Sequence, residues 1–272
     1  AESVAEYEAR GLVTRRQFGV LLAAGVAMTL PETANAQATG DREVEIKTPD
    51  GTCDAYFVHP ASGTGAGVLI WPDIFGLRPA MRTMAKRLAG SGYSVLVVNP
   101  FYRVGKPTAT GATPIPEMMP FRKGMNATTD MSDAKTFVAW LDAQPQVNKN
   151  RKVGVQGYCM GGPMSFHTAS AVPGRIGAVG SFHGGGLVND AAGPNSPHLL
   201  AAATKASFLI AIAENDDKQR PNDKTVLKET FEKAKLSAEI EVYPAAHGWC
   251  PPDTQVYSEP AAEKAWSRLL AL

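Results

Sequence analysis

The chain has 272 residues, 44% of them hydrophobic, enough for one sizeable core in a single domain. A formal net charge of +1, with 19% charged residues, provides neither a basic field for nucleic acid nor an acidic tail. That charge balance makes a small, roughly neutral molecule, or one with a few charges, the expected partner; the oligomeric state is open, with a monomer favoured. No apolar run reaches the roughly 18 residues of a membrane span.

In chain order, residues 1–36 read as an export signal and residues 37–272 as the folded domain. Arg15 and Arg16 precede an apolar stretch from Phe18 to Leu30, and Ala34, Asn35 and Ala36 form a small-residue cleavage pattern. The paired arginines followed by Gln17 and Phe18 resemble a twin-arginine (Tat) signal. Such a protein crosses a bacterial inner membrane already folded, so the expected location is the periplasm.

Asp41–Pro60 alternates polar and apolar residues around Pro49, Asp50 and Gly51, which predicts a β-hairpin. Gly67–Trp71 and Tyr93–Asn99 are continuous apolar strands. Between them, Met81, Met84, Ala85 and Leu88 recur at helical spacing and Gly92 ends the run. Residues 103–126, rich in Gly, Pro and Thr, read as a long loop or cap. Further strands are expected at Lys152–Gln156, Ala178–Phe182, Ser207–Ala213 and Ala238–Tyr243. Helices are expected at Asp130–Asp142, Met160–Ala171, Lys224–Ala234 and Glu259–Leu272. Alternating strands and helices, with the middle strands apolar on both faces, predict an α/β fold: a mostly parallel sheet covered by helices on each side.

One stretch carries the chemistry. GVQGYCMGG, Gly154 to Gly162, places Cys159 in a tight glycine turn between a strand and a helix. This is the nucleophile-elbow pattern with cysteine where serine is usual. The turn strains the backbone at the nucleophile, so its neighbours must be nearly free of side chain, and Gly157 and Gly161 meet that need. The helix N-terminus favours a thiolate, and the Met160 N–H can bind an oxyanion.

A nucleophile there requires an acid and then a histidine later in the chain. SFLIAIAENDD supplies Asp216 with Asp217 beside it, and Ala213 three positions earlier favours Asp216. EIEVYPAAHGW supplies His247 after the last strand. The second oxyanion donor should lie in the loop after Trp71, where the N–H of Ile74 is the candidate. Cys53 and Cys250 remain; with an odd count, at least one thiol lacks a partner within the chain. Cysteine spacing gives no zinc site, and a Cys53–Cys250 disulfide has no support from spacing.

From about Glu43 to Leu272 the chain resembles the dienelactone hydrolase family of α/β-hydrolases. The resemblance rests on DIFGL, GYSVLVVNPFYR, GYCMGG, ENDD and AHGW. It implies an α/β-hydrolase fold, a Cys159–Asp216–His247 triad and cofactor-free hydrolysis of enol lactones and related esters. In this family an early-loop glutamate interacts with the resting thiol. Here that position is Asp73, one methylene shorter, which is either a partner of the thiol or a helix cap. The family also clamps a substrate carboxylate with an arginine soon after the histidine, whereas this chain reads His247, Gly248, Trp249, Cys250 with no arginine.

Other residues near the expected catalytic edge are weaker candidates. Tyr102 and Arg103 follow a core strand, and His183 follows another; each is expected either to touch substrate or to serve structure. Trp249 and Phe75 are expected to wall the pocket, Arg122 lies in the cap, and His59, His167 and His198 read as structural. Acyl transfer or thioester hydrolysis in the same site is the nearest alternative function. A binding or redox-sensing protein on the same fold is the other.

Overall fold

The computed structural model describes residues 30–31 and 36–272. The export-signal reading falls almost wholly on residues outside those described. A long hairpin, β1 (Thr39–Thr48) and β2 (Gly51–Pro60), opens the domain. The parallel strands β3 (Ala66–Trp71), β4 (Tyr93–Val98), β5 (Val153–Tyr158), β6 (Ile176–Phe182), β7 (Ser207–Ala213) and β8 (Ala238–Tyr243) follow. They form one eight-stranded sheet in the order β1-β2-β4-β3-β5-β6-β7-β8. The hairpin strands pair antiparallel with each other, β2 pairs antiparallel with β4, and every other pairing is parallel. This is the mostly parallel, helix-covered sheet expected from the sequence.

The sheet divides the core in two because successive strand side chains point to opposite faces. Leu69, Trp71, Leu96 and Val98 pack on one face beneath α3 (Ala127–Ala143) and α4 (Gly161–Ala171). Val68, Ile70, Val95 and Val97 pack on the other, beneath α1 (Pro79–Gly90) and α8 (Glu259–Ala271). All six residues of β3 are buried, so its unbroken apolar run reflects cover on both sides.

Departures from expectation lie in the connections. The segment 103–126 contains a short helix, α2 (Ile115–Met118), and a 3₁₀ turn at Met119–Arg122. α3 begins three residues before Asp130 because Asn126 caps it: the Asn126 side chain accepts from the Thr128 and Thr129 N–H groups, while the Thr129 hydroxyl accepts the Asn126 N–H. A 3₁₀ turn at Asp190–Asn195 precedes α5 (Pro197–Ala201), and α6 (Glu214–Gln219) follows β7 directly. The helix α7 (Asp223–Lys233) then returns the chain to β8. Among the described residues no helix is long and apolar enough to cross a membrane. Cys53 and Cys250 are free, buried thiols in the two opposite halves of the core, so they do not pair.

Candidate active site

The turn between β5 and α4 holds Cys159 at φ 53°, a left-handed conformation that is strained for any residue with a side chain. Two close approaches impose it. A Cβ on Gly157 would lie 1.8 Å from the Gly161 carbonyl oxygen, and one on Gly161 would lie 2.3 Å from that of Trp71. The two glycines therefore allow the turn to fold on itself and to sit against the end of β3. The Cys159 N–H is shared between the Phe182 carbonyl and His183 Nδ1, each at 3.1 Å. The thiol is partly exposed, unlike those of Cys53 and Cys250.

His247 arrives from the loop after β8. Its backbone N–H donates to Asn215 Oδ1 at 2.7 Å, and its Nδ1 lies 2.6 Å from Asp216 Oδ2. Asn215 and Asp216 are adjacent on the first turn of α6, so that short helix fixes both the backbone and the ring of His247. Asp217 is turned away, with both carboxylate oxygens held by Lys224 at 2.7 and 2.8 Å. Burial alone would lower the basicity of His247, but hydrogen bonds to Asp216 and Cys159 outweigh it and push the imidazole up to about 10. His247 is thus tied to Asp216 on one side and interacts with Cys159 as well.

Ile74 is buried in the loop after β3, and Met160 opens α4. The Gly161 approach to Trp71 and Pro72 brings the two segments together. Both N–H groups are free of an intramolecular acceptor among the described residues.

Asp73 does not hydrogen-bond to the thiol. Both of its oxygens are taken by Arg78, at 2.6 and 2.9 Å, and Oδ1 also accepts the Phe75 N–H at 3.0 Å. Arg78 reaches on to Asp253, at 2.7 and 2.9 Å, and Asp253 accepts the Gly111 N–H of the cap. Burial pushes the Asp73 carboxyl up, and the Arg78 charge opposes it. This buried clasp joins the Ile74 loop, the segment following His247 and the cap. The sequence reasoning missed Arg78 and Asp253. Their only signal was a charge on each side of a glycine- and proline-rich region.

Several expected pocket residues lie elsewhere. Tyr102 donates to Asp133 and accepts from Thr48, and Arg103 is held by Asp133 and Asp50, so both tie the hairpin turn to α3. His183 is wholly buried behind the elbow, with φ 41°. Because its Nδ1 accepts the Cys159 N–H, its ring proton sits on Nε2, and burial holds it well below the usual histidine range, hence neutral. Trp249, expected to wall the pocket, is also fully buried; it stacks on Tyr243 and meets the His183 ring edge-on. Phe75 packs with Ile74, Met160 and the cap, and Arg122 lies exposed on a cleft beside Met160.

Comparison with known proteins agrees with this fold. A carboxymethylenebutenolidase of Rhodococcus opacus is 31% identical over 135 residues, which is 49% of this chain and half of that relative. Carboxymethylenebutenolidase 1 of Cupriavidus pinatubonensis is 23% identical over 84% of this chain and 94% of its own. A dienelactone hydrolase-like promiscuous phosphotriesterase from metagenomic libraries superimposes with a TM-score of 0.71 at 22% identity, covering 86% of this chain and 97% of the other. A Klebsiella pneumoniae structure, provisionally described as a dienelactone hydrolase, gives a TM-score of 0.76 at 24% identity over 86% and 98%. The model of the dienelactone hydrolase family matches residues 53–272, from the second hairpin strand through the elbow and the His247 loop to the last helix, and the chain belongs to that family.

Proposed function

We propose that this protein hydrolyses carboxylic esters or lactones through a covalent intermediate on Cys159. The observation that carries the reading is the strained elbow: a partly exposed cysteine at φ 53°, interacting with a histidine whose Nδ1 lies 2.6 Å from Asp216. His247 takes the thiol proton, and the thiolate sulfur attacks the carbonyl carbon. The carbonyl oxygen becomes an oxyanion, held by the Ile74 and Met160 N–H groups. As the intermediate collapses, the C–O bond breaks and His247 returns the proton to the leaving alkoxide. Water then gives a proton to His247 and attacks the thioester, releasing the acid and restoring the thiol. Asp216 keeps the imidazole oriented and stabilises its charged form throughout.

The carboxymethylenebutenolidase names of the relatives support a lactone as one substrate, but no arginine stands in the His247–Pro252 segment that directly follows the last strand, and Arg103 is already neutralised by Asp50 and Asp133. The proposed substrate class is therefore broader, and a carboxylate is not required. A panel of lactones and aryl esters tests the reading, with intact mass of the protein recorded before and after quenching. Turnover with a transient acyl adduct on Cys159 is the expected result. Full activity in Cys159→Ala would sink it.

A further inference from the structure

A cleft of about 360 Å³ opens beside the elbow. α4 lines it with Met160, Met164 and His167, positions spaced to share one face of the helix. Asp130 of α3 lies in the same wall, and His167 Nδ1 is 2.9 Å from Asp130 Oδ2. Both residues are buried. The other ring nitrogen, Nε2, has no hydrogen-bond partner among the described residues and is not sealed in protein, so it opens on the cleft. A pair that served only to tie α3 to α4 would need Nδ1 alone. It would not need to present the second nitrogen to a cleft that Met160, the residue after Cys159, also lines.

Position sets what this pair can do. His167 stands six residues into a helix that starts at Gly161, about 10 Å along the axis at ~1.5 Å per residue. It is too far to exchange a proton at the carbonyl that Cys159 attacks, yet it lies within reach of a distant part of the same molecule. The thioethers of Met160 and Met164 line the cleft between the two points, an adaptable apolar surface suited to a hydrocarbon spacer.

We propose that His167, held by Asp130, binds a hydroxyl group on a long arm of the ester, about 10 Å from the reacting carbonyl. The proposal rests on Cys159 being the nucleophile. Asp130 takes up Nδ1, which leaves Nε2 as the ring atom that can exchange a hydrogen bond with a ligand in the cleft. A hydroxyl both donates and accepts, so it can pair with that nitrogen whichever role the ring takes.

The test uses p-nitrophenyl esters of butanoic, hexanoic, octanoic and decanoic acids, with and without a terminal hydroxyl. A matching series of acetates of alkanols and alkanediols covers an arm on the alcohol side. A span of about 10 Å is roughly eight bonds of extended chain, so the hydroxyl should raise kcat/KM most near octanoyl length in the acyl series or near hexyl length in the alcohol series. The expected gain is about three- to tenfold, the worth of one net hydrogen bond, with none at butanoyl length. In His167→Phe the ratio of hydroxylated to plain ester should fall to about one, and His167→Gln, which keeps an amide acceptor, should restore part of it. If His167→Phe does not fold, the length series on the unaltered protein decides. No hydroxyl preference at any length, or one that persists in His167→Phe, overturns the subsite while leaving the hydrolase reading intact. A preference for a terminal carboxylate assigns the cleft to Arg122 and also overturns it. Failure to hydrolyse any of these esters overturns the hydrolase reading, and the subsite with it.

Discussion

Replacing Arg78 with methionine removes the centre of the Asp73–Arg78–Asp253 clasp while keeping much of its aliphatic bulk. Asp73 and Arg78 are nearly sealed, with side chains 4% and 2% exposed, and two hydrogen bonds join them. Breaking a buried pair by removing one partner costs about 3–5 kcal/mol, because the remaining charge stays buried. Asp253 is 30% exposed, and water screens its share to about 1 kcal/mol or less. A total near 4 kcal/mol, at roughly 2–4 °C per kcal/mol for a domain of this size, lowers Tm by about 8–16 °C. The sign of the pH dependence follows from Asp73. Burial already pushes its carboxyl up, and without Arg78 nothing comparable opposes that rise. A folded-state value raised above the unfolded one favours the protonated folded form. The deficit of Arg78→Met therefore grows as pH rises through that value and shrinks on acidification. Calorimetric scans of both proteins at pH 8 and 5 measure it. In the double variant Asp73→Asn/Arg78→Met, with no buried charge left, about half the loss should return. A Tm drop under about 3 °C, or no recovery in the double variant, refutes the reasoning.

Iodoacetamide should label Cys159 well before the other thiols, because burial raises the thiols of Cys53 and Cys250 and shields them; peptide mapping after brief exposure reads the order. Asp216→Asn should reduce kcat/KM by about 10²–10⁴, the scale of general acid–base catalysis, whereas Asp217→Asn should change it less than about threefold, since Asp217 pairs only with Lys224. Asp216 is one of the groups holding His247 up at about 10, so in Asp216→Asn the alkaline limb of the pH–rate profile should move to lower pH. Removing the carboxylate from a lactone substrate should cost less than about tenfold in kcat/KM, about 1.4 kcal/mol of transition-state binding; a loss of several hundredfold would reveal a cation doing the work of the missing arginine. Fused to a reporter, residues 1–36 should direct it to the periplasm in a manner that fails when Arg15 and Arg16 become lysine, and retention in the cytoplasm of the unaltered fusion would refute the export signal.

The sheet was legible because its strands are short apolar runs between glycines and prolines, and β7 and β8 fall on the expected residues. The elbow was legible because only glycine tolerates the approaches at positions 157 and 161. Order along the chain then pointed to His247 and to the acidic pair after β7. What stayed hidden depends on where side chains turn. Tyr102 and Arg103 sit at the right edge of the sheet, yet Asp133, distant in sequence, draws them toward the hairpin. Trp249 and His183 follow catalytic strands but point inward. The helix Glu214–Gln219 has six polar residues and no apolar period, so nothing in ENDDKQ announces it; its form comes from anchoring between β7 and the His247 loop. His167 read as an ordinary core histidine because its partner lies 37 residues earlier on another helix.

The Arg78–Asp253 contact spans 175 positions of the chain, and His247 lies almost as far along. Closing so long a loop is entropically slow, so these contacts form late. During synthesis the elbow of Cys159 emerges well before the segment carrying its histidine and before the residue that braces the Ile74 loop. An incomplete chain therefore holds a cysteine with neither its base nor a finished oxyanion pocket. On the proposed mechanism, an ester can acylate Cys159 only once the C-terminal quarter is in place, so a chain that stalls or is clipped there would escape acylation by the esters around it.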